Sequence, residues 1–259
     1  MPRANRYFLP NHVWHLTHRC HEKEFLFKFA RDREFYLRWL FEAKKRFGLC
    51  VLDYMVTSNH VHLLVKDTGE GVIARGMQLA AGRIAQEYNR RKGRQGAFWE
   101  DRYHATAVQN GEHLVRCLIY IDLNMVRAGV VRHPGEWGQS GYQEIQAPPE
   151  RYSIIDLAAL KDACGIRSVE ALREVHRHWV NEALTVENAS REDRWSESVA
   201  VGSAAYVETV KRELDLRARS RRVAEQGGAF ALREPGSAYE AILTAKNRPL
   251  RQENAIYWE

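Results

Sequence analysis

The order of strand-like and helix-like segments between residues 12 and 129 constrains the fold of this chain most strongly. Strand-like alternation or a short apolar run marks four segments, at residues 12–20, 49–58, 60–66 and about 103–109. Apolar side chains recur every three or four residues in three helix-like segments, at residues 32–48, 72–92 and 112–129. Asp32 is expected to cap the first helix, and Gly48 and Gly129 are expected to end the first and the last.

The resulting order is β-α-β-β-α-β followed by a helix. This is the pattern of a ferredoxin-like (RRM-like) α+β core with an antiparallel sheet, in which the first and third strands are expected to be central neighbours. The connection between the second and third strands is short, at Thr57-Ser58-Asn59, and predicts a hairpin.

Weaker patterns follow the core. A connector rich in Pro and Gly at residues 132–153 precedes two predicted helices, at 154–164 and at 168–184 with Ser168 as N-cap, and a further helical segment at 195–217. The sequence therefore predicts a mostly helical C-terminal extension. We divide the chain into a core domain of residues 1–149, a helical region of residues 150–225 and a partly extended tail of residues 226–259.

Charge is distributed unevenly along the chain. The net charge is +6, and residues 1–150 contain 22 Lys and Arg against 16 Asp and Glu, whereas residues 151–259 contain 17 of each. The basic excess thus lies in the predicted core domain, where it is compatible with a polyanionic partner.

The cysteine pattern and the hydropathy indicate the compartment. The four cysteines, Cys20, Cys50, Cys117 and Cys164, are far apart and form no CxxC pair, which favours a reduced, cytoplasmic protein. No run of about 18 apolar residues predicts a membrane span, and no apolar signal segment follows the N-terminal residues. We therefore expect no membrane partner.

Two histidines occupy the third predicted strand. Side chains alternate along a strand, so His60 and His62 point to one face while Val61 and Leu63 point to the other. Two imidazoles on one face are able to share a metal ion, but two hydrogen-bonded histidines in a core or at a surface would give the same pattern. The strand alone leaves both interpretations open.

The helix predicted at residues 112–129 carries a second polar set. Arg116, Tyr120, Asn124 and Arg127 recur at three or four residues and lie on one helix face. This face presents a phenol, an amide one turn later and two guanidinium groups. A tyrosine at the edge of the core with an incidental asparagine is the alternative.

Four segments together resemble a known family. Asn59-His60-Val61-His62-Leu63-Leu64-Val65 resembles the HUH motif of single-tyrosine transposases, and residues 119–129 resemble their segment YIHLNPVRAGLV. Residues 96–103 are similar to the segment (L/F)WQxRY, and residues 13–19 to the family's first strand. The chain is identified as a member of this family, and most resembles the REP-associated tyrosine transposases. Met125 stands where Pro is usual, and Asp122 where His is common.

The resemblance implies a role for each matching residue. His60, His62 and Asn124 are implied to bind a divalent metal ion, Mg²⁺ or Mn²⁺, and Tyr120 is implied to attack DNA and form a 5′-phosphotyrosine link. The implied substrate is a single-stranded REP-type hairpin, and the implied localisation is cytoplasmic and nucleoid-associated. The implied assembly is a monomer or a homodimer.

Basic and aromatic side chains of the core domain are candidate DNA contacts. We expect phosphate contacts or base stacking from Arg19, Arg90, Arg91, Lys92, Arg94, Trp99, Arg102, Arg116 and Arg127. Phe98 is expected rather to pack in the core.

Two other functions compete with the transposase interpretation. A non-catalytic DNA-binding regulator on the same fold would keep the basic face without needing Tyr120, and a metal-dependent phosphodiesterase would use water as the nucleophile. The aromatic residues near the end of the chain, Tyr257 and Trp258, suggest two roles for the tail. It packs back on the core and restricts access to it, or it only stabilises the fold as a cap.

Overall fold

A computed structural model describes residues 9–185, 192–218 and 221–233 of the chain. Within these residues, seven strands form one sheet in the order β2-β3-β1-β4-β5-β7-β6. The strands are β1 (Val13–Arg19), β2 (Cys50–Val56), β3 (His60–Lys66), β4 (His104–Val108), β5 (Ala200–Gly202), β6 (Arg222–Gln226) and β7 (Ala229–Arg233). The fold is α+β, as the sequence predicts.

Helices surround this sheet. The α-helices are α1 (Ala30–Phe47), α2 (Val72–Lys92), α3 (Glu112–Asp122), α4 (Asn124–Arg127), α5 (Gly141–Gln146), α6 (Leu157–Cys164), α7 (Val169–Thr185), α8 (Arg194–Glu197) and α9 (Ala204–Leu214). Short 3₁₀ turns lie at His21–Lys23, Pro134–Glu136 and Asp215–Ala218. In this part of the chain, no helix is long and apolar enough to cross a membrane.

The first four strands have the predicted ferredoxin-like topology. β1 is central and pairs antiparallel with β3 on one side and with β4 on the other, while β2 pairs antiparallel with β3. The register places His60 opposite Arg19, and His62 opposite Thr17. Because opposite residues in paired strands share a face, these four side chains lie on the same side of the sheet.

Helices α1 and α2 pack together over the other face of the sheet, where the fully buried Trp14 and Leu16 of β1 lie. Burying such a side chain contributes roughly 1.5–3 kcal/mol. The close approach of α2 depends on Gly76, since a Cβ there would lie 3.1 Å from the Leu49 side chain. The face that carries His60 and His62 is left for α3 and the C-terminal elements.

The expected capping role of Asp32 is wrong. Helix α1 begins at Ala30 after the extended Phe29, so Asp32 lies inside the first turn, with its backbone N–H bonded to the Phe29 carbonyl. Its buried carboxylate pairs instead with Arg91 of α2. Acidic residues are also favoured within a first turn by the helix dipole, which explains why the sequence signal was ambiguous.

The predicted continuous helix at residues 112–129 is divided. Leu123, at φ −79° and ψ 6°, separates α3 from α4, and Gly129 ends the segment with a positive φ of 69°, as expected. The bond from the Leu123 N–H to the Ile119 carbonyl, at 3.0 Å, and that from Arg127 to Leu123, at 2.9 Å, keep the helical path nearly unbroken. Tyr120 and Asn124 therefore stay about one turn apart.

The helix expected at residues 195–217 is only partly present. Residues 200–202 form β5, which pairs in parallel with β4 and antiparallel with β7. The helical parts of this segment are the end of α8, helix α9 and the 3₁₀ turn that follows it. Helix α9 is capped by the Ser203 hydroxyl, which accepts from the Tyr206 N–H. Ser168 caps α7 in the same way, as predicted, by accepting from the Ala171 N–H at 3.1 Å.

The C-terminal region extends the core sheet rather than standing apart from it. The β6–β7 hairpin joins the sheet through β5, so strands from both sides of residue 150 share one set of hydrogen bonds. The domain divisions after residues 149 and 225 stay predictions. Residues 234–259, which make up most of the predicted tail, lie outside the described residues.

Candidate functional site

A cavity of about 440 Å³ opens beside β1, β3 and β4, next to α3, α4 and α8. All four residues predicted to carry the chemistry line it: His60, His62, Tyr120 and Asn124. The other lining residues are Thr17, His18, Arg19, Glu100, Asp101, Arg102, His104, Arg127, Ala128, Ser196 and Glu197. The sheet thus contributes the imidazoles, and the segment after β4 contributes the phenol and the amide.

His62 lies in a chain of hydrogen bonds that crosses the sheet. Its Nδ1 is 2.8 Å from Nε2 of His15, and Nδ1 of His15 is 2.7 Å from the backbone carbonyl oxygen of Trp195. On the cavity side, the Asn124 amide nitrogen lies 3.1 Å from Nε2 of His62 and donates to it. The two nitrogens of His62 thus have different neighbours, one in the core and one at the cavity.

His60 is oriented by the hairpin turn that precedes it. Its Nδ1 lies 2.7 Å from the side-chain oxygen of Asn59 and 2.9 Å from the Thr57 hydroxyl. The Thr57 hydroxyl itself donates to the His60 carbonyl, at 2.8 Å. Because an amide oxygen only accepts, Nδ1 of His60 carries the proton, and Nε2 of the neutral ring keeps its lone pair.

The residues present fit a divalent cation. The ring centroids of His60 and His62 are 4.8 Å apart, and Nε2 of His60 is the unprotonated nitrogen of its neutral ring. Asn124 adds a side-chain oxygen, the atom type that hard cations prefer. In the described ranges, no group of three or more His, Cys, Asp and Glu side chains is placed to hold a metal. A divalent cation in this cavity would therefore be held by two imidazoles and an amide.

Burial favours the neutral forms of His15 and His62 by lowering the pKa of each. It lowers the pKa of His15 to about 4, although the hydrogen bond to the Trp195 carbonyl opposes this effect. Burial also holds the pKa of His62 well below its ordinary value, and the neighbouring His60 and His15 add to the shift. Neutral imidazole is the form that ligates metals.

Tyr120 is fixed by aromatic rings and by a guanidinium group. Its side chain is 6% exposed, and its ring centroid lies 6.0 Å from that of His62 and 6.3 Å from that of Trp195. The Arg127 guanidinium carbon lies 4.2 Å from the centre of the Tyr120 ring, and Arg127 donates to the Tyr120 backbone carbonyl at 2.5 Å. The positively charged guanidinium of Arg127 is thereby held against the Tyr120 ring.

The contact with Tyr120 also affects the pKa of Arg127. Burial lowers the pKa of Arg127, whereas the charge of Tyr120 and a hydrogen bond with its side chain act in the opposite direction. The guanidinium stays charged under ordinary conditions. A negative charge that developed on the Tyr120 oxygen would therefore meet a positive charge already in place.

Comparison with known proteins assigns the part of the chain that holds this site. The sequence model of the IS200-like transposases matches residues 9–124, which include all four predicted catalytic and metal-binding residues. Residues 9–124 are thus the part of the chain that is similar to the IS200-like transposases. The family resemblance of the motifs is thereby confirmed for just under half of the chain.

Two transposase-related proteins are among the solved structures to which the chain is similar. One is a REP-associated tyrosine transposase bound to a REP hairpin, at 16% identity and a TM-score of 0.46, over 60% of this chain and 94% of that one. The other, a candidate transposase from Deinococcus radiodurans, has 18% identity and a TM-score of 0.33, over 42% of this chain and 87% of that one. No curated protein sequence matches the chain.

The predicted DNA contacts fall into two groups according to their position relative to the cavity. Arg19, Arg102 and Arg127 line the cavity beside Tyr120. The others lie outside it, and several are paired with acids: Arg90 with Glu87, Arg91 with Asp32, Arg94 with Glu24 and Arg116 with Glu112. Lys92 lies 5.4 Å from the Phe29 ring.

Trp99 and Phe98 have structural partners in the transposase domain. Trp99 stacks on His18, with ring centroids 3.8 Å apart, and its Nε1 donates to the Ala81 carbonyl at 3.0 Å. Phe98 is 2% exposed and belongs to the core, as expected. Trp99 thus stacks on a side chain that itself lines the cavity, and its predicted contact with DNA bases stays a prediction.

Three groups of site residues were missed in the sequence. The alternation of β1 gave a sequence signal for His15. This residue shares a strand face with Thr17 and Arg19, which lie opposite His62 and His60 in the register. His104 is in register with Thr17 on β4, and its Nε2 bonds to the Ser198 carbonyl at 2.9 Å. Trp195, Ser196 and Glu197 had no signal, since they reach the transposase domain from α8, far along the chain.

Proposed function

We propose that the protein is a metal-dependent, single-stranded DNA endonuclease and strand transferase that acts on REP-type hairpins through a 5′-phosphotyrosine intermediate. The observation that carries this proposal is the meeting of Tyr120, His60, His62 and Asn124 at one cavity within an IS200-like transposase domain. The hairpin substrate is the one that the motif resemblance implies.

Tyr120 is the nucleophile in this mechanism. Its oxygen bonds to the phosphorus of the scissile phosphodiester as the bond from phosphorus to the 3′ oxygen breaks. The phenol proton is lost, the leaving 3′ oxygen gains one, and the 5′-phosphate stays on the protein. The same steps in reverse, with the 3′-OH of another strand as the attacking group, rejoin DNA without an external energy source.

Arg127 and two further arginines provide the electrostatic contribution of the chain. Arg127 holds its guanidinium against the Tyr120 ring and stabilises negative charge on the phenol oxygen. Arg19 and Arg102 line the same cavity and bind the phosphate backbone. Their placement beside a buried phenol favours a phosphodiester substrate over a neutral one.

His60, His62 and Asn124 would hold the divalent ion, Mg²⁺ or Mn²⁺. Such an ion supplies positive charge to the non-bridging oxygens of the scissile phosphate. The hydrogen bonds at Nδ1 of both histidines orient the rings toward the cavity before an ion arrives.

One copy of the chain supplies every residue of the proposed site. Tyr120 lies 6.0 Å from His62, between ring centroids of the same chain. A monomer is therefore sufficient for cleavage, and a homodimer would be needed only for other steps.

A cleavage assay tests the proposal. Labelled single-stranded DNA with an imperfect hairpin is incubated with the protein and Mn²⁺, then separated under denaturing conditions. We expect a protein–DNA adduct with the wild type, none with Tyr120→Phe, and none after chelation of the metal. Tyr152→Phe, at an exposed tyrosine, is the matched control and is expected to keep the adduct.

Two other outcomes would replace the proposal with one of its competitors. Cleavage that survives in Tyr120→Phe would point to a water nucleophile and a metallo-phosphodiesterase. Tight hairpin binding with no cleavage under any metal would point to a non-catalytic DNA-binding regulator.

A further inference from the structure

His15 links the candidate metal site to the C-terminal region. It is fully buried at the centre of β1, and its ring is stacked on that of His62 with centroids 5.0 Å apart and an interplanar angle of 11°. One of its nitrogens faces the Trp195 carbonyl and the other faces Nδ1 of His62. Trp195 lies beyond the residues that match the transposase family.

The order of these groups determines where the protons lie. A carbonyl oxygen only accepts, so Nδ1 of His15 carries a proton and donates it to Trp195. With His15 neutral, its Nε2 has no proton and acts as an acceptor toward His62. The proton between the two rings therefore belongs to Nδ1 of His62, which leaves Nε2 of His62 without one.

The cavity side of His62 agrees with this assignment. The Asn124 amide nitrogen lies 3.1 Å from Nε2 of His62, a distance at which an unprotonated nitrogen accepts a hydrogen bond. A protonated Nε2 would put two donors face to face. When His15 and His62 are both neutral, one arrangement of protons satisfies all of these hydrogen bonds, from the Trp195 carbonyl to the Asn124 amide.

We propose that His15 is a positioning residue that holds His62 in the tautomer with Nδ1 protonated, so that the lone pair of Nε2 faces the metal site. His15 is itself held by the backbone carbonyl of Trp195, so the C-terminal region takes part in orienting a ligand. The role toward a metal rests on the proposed function, whereas the tautomer does not. A ligating histidine whose second nitrogen donates to a fixed acceptor loses one rotational choice and gains basicity.

Packing alone is the competing role for His15, and two variants separate the two roles. His15→Phe keeps an aromatic ring in the core but removes both hydrogen bonds. His15→Gln retains an acceptor oxygen for His62 and an N–H donor for the Trp195 carbonyl. A packing role predicts that Phe is the better replacement, whereas a positioning role predicts that Gln is.

The first measurement is made on the metal-free, full-length protein. Nitrogen NMR shifts of histidine distinguish protonated from unprotonated ring nitrogens, and the His62 signals are assigned by their loss in His62→Gln. We expect a single tautomer in the wild type and in His15→Gln, with Nδ1 of His62 protonated, and a tautomer mixture in His15→Phe. A wild-type His62 with its proton on Nε2 would overturn the proposal without any variant.

The second measurement is the affinity for Mn²⁺ in the absence of DNA, determined by calorimetry. We expect His15→Phe to weaken binding about 10- to 100-fold, the range for removing the partner of a ligand, and His15→Gln to stay within about threefold of the wild type. Circular dichroism shows whether each variant is folded. Wild-type affinity in a folded His15→Phe would contradict the positioning role.

These readouts separate the inference from the proposed function. A wild type that shows the expected tautomer and binds Mn²⁺ but cleaves no DNA would support the role of His15 and overturn the proposed nuclease. A wild type that cleaves DNA through Tyr120 but shows a tautomer mixture at His62 would overturn the role of His15 alone.

Discussion

The Asp122 carboxylate accepts a hydrogen bond from Nε2 of His176 at 2.7 Å, in a part of the core where neither side chain reaches solvent. Gln146 donates to the other nitrogen of His176, at 3.0 Å, so Nε2 is the nitrogen that carries the proton. Asp122 lies between Tyr120 and Asn124 in the sequence. The pair therefore ties the segment that carries both site residues to α7.

Removing His176 should destabilise the fold. His176→Ala leaves the buried Asp122 carboxylate without its donor, and the free energy of unfolding should fall by about 3 kcal/mol. Urea denaturation measures this change. His178→Ala on the same helix is the control. His178 pairs with Glu182, both side chains are exposed, and the expected change is below about 0.5 kcal/mol. Equal losses in the two variants would show that the buried pair is not the cause.

Arg127 should affect cleavage more than binding. Arg127→Gln removes the charge beside the Tyr120 ring, and the single-turnover cleavage rate should fall about 100-fold. Arg127→Lys keeps a positive charge, and the same rate should fall about 10-fold. Hairpin affinity, measured by fluorescence anisotropy, should change much less than the rate. Arg46→Gln on α1, which removes the pair between exposed Arg46 and half-buried Glu42, serves as the control and should leave both the rate and the affinity unchanged. A matching loss of affinity and rate would make Arg127 a DNA contact only.

Mixing inactive variants tests whether one chain completes the site. Tyr120 and His62 come together within one chain, so equal amounts of Tyr120→Phe and His62→Ala should not restore cleavage. Adduct formation on denaturing gels is the readout, with a mixture of wild type and His62→Ala as the positive control. Recovery of activity in the mixed variants would show that two copies exchange the segment that carries Tyr120.

Asp53 should make the stability dependent on pH. Burial raises the pKa of Asp53 well above its ordinary value, and the charges of Asp122 and Glu144 contribute to this rise. The folded state therefore keeps a proton that the unfolded chain releases, so this contribution is complete below about pH 4 and is lost as pH rises toward the folded pKa. Asp53→Asn should remove it.

Urea denaturation over a range of pH measures the Asp53 effect. Relative to Asp53→Asn, the wild type should lose stability above about pH 4, at no more than about 1.4 kcal/mol per pH unit for a single group. Parallel stability curves for the two proteins would show that Asp53 is ionised in the folded state.

Hydrophobic periodicity predicted the strands and helices of the core correctly. It failed where tertiary contacts decide the secondary structure. Long, regular segments predicted the four core strands and the positions of α1, α2 and α3, because each must bury one face. The sequence pattern wrongly predicts helix over the three residues of β5, because Val199 and Val201 are spaced to continue the apolar positions of α9. A strand this short is stabilised by its neighbours β4 and β7 rather than by its own pattern.

The site was predictable where side chains carry the chemistry and unpredictable where the backbone does. The motif residues His60, His62, Tyr120 and Asn124 were predicted from the sequence and meet at one cavity. The alternation of β1 placed His15 on the correct face but could not identify its partner, the carbonyl of a residue 180 positions away. Any residue type can offer a carbonyl, so the sequence holds no signature of that contact.

The identity of the residue that carries the DNA is the most direct test of the central claim. The protein is allowed to react with hairpin DNA and Mn²⁺, the adduct is digested with nuclease and protease, and the peptides are analysed by mass spectrometry. We predict a nucleotide linked through its 5′-phosphate to Tyr120, in the peptide Cys117–Arg127. A nucleotide on another side chain, or DNA products that carry free 5′-phosphates without any modified peptide, would contradict the assignment of Tyr120 as nucleophile.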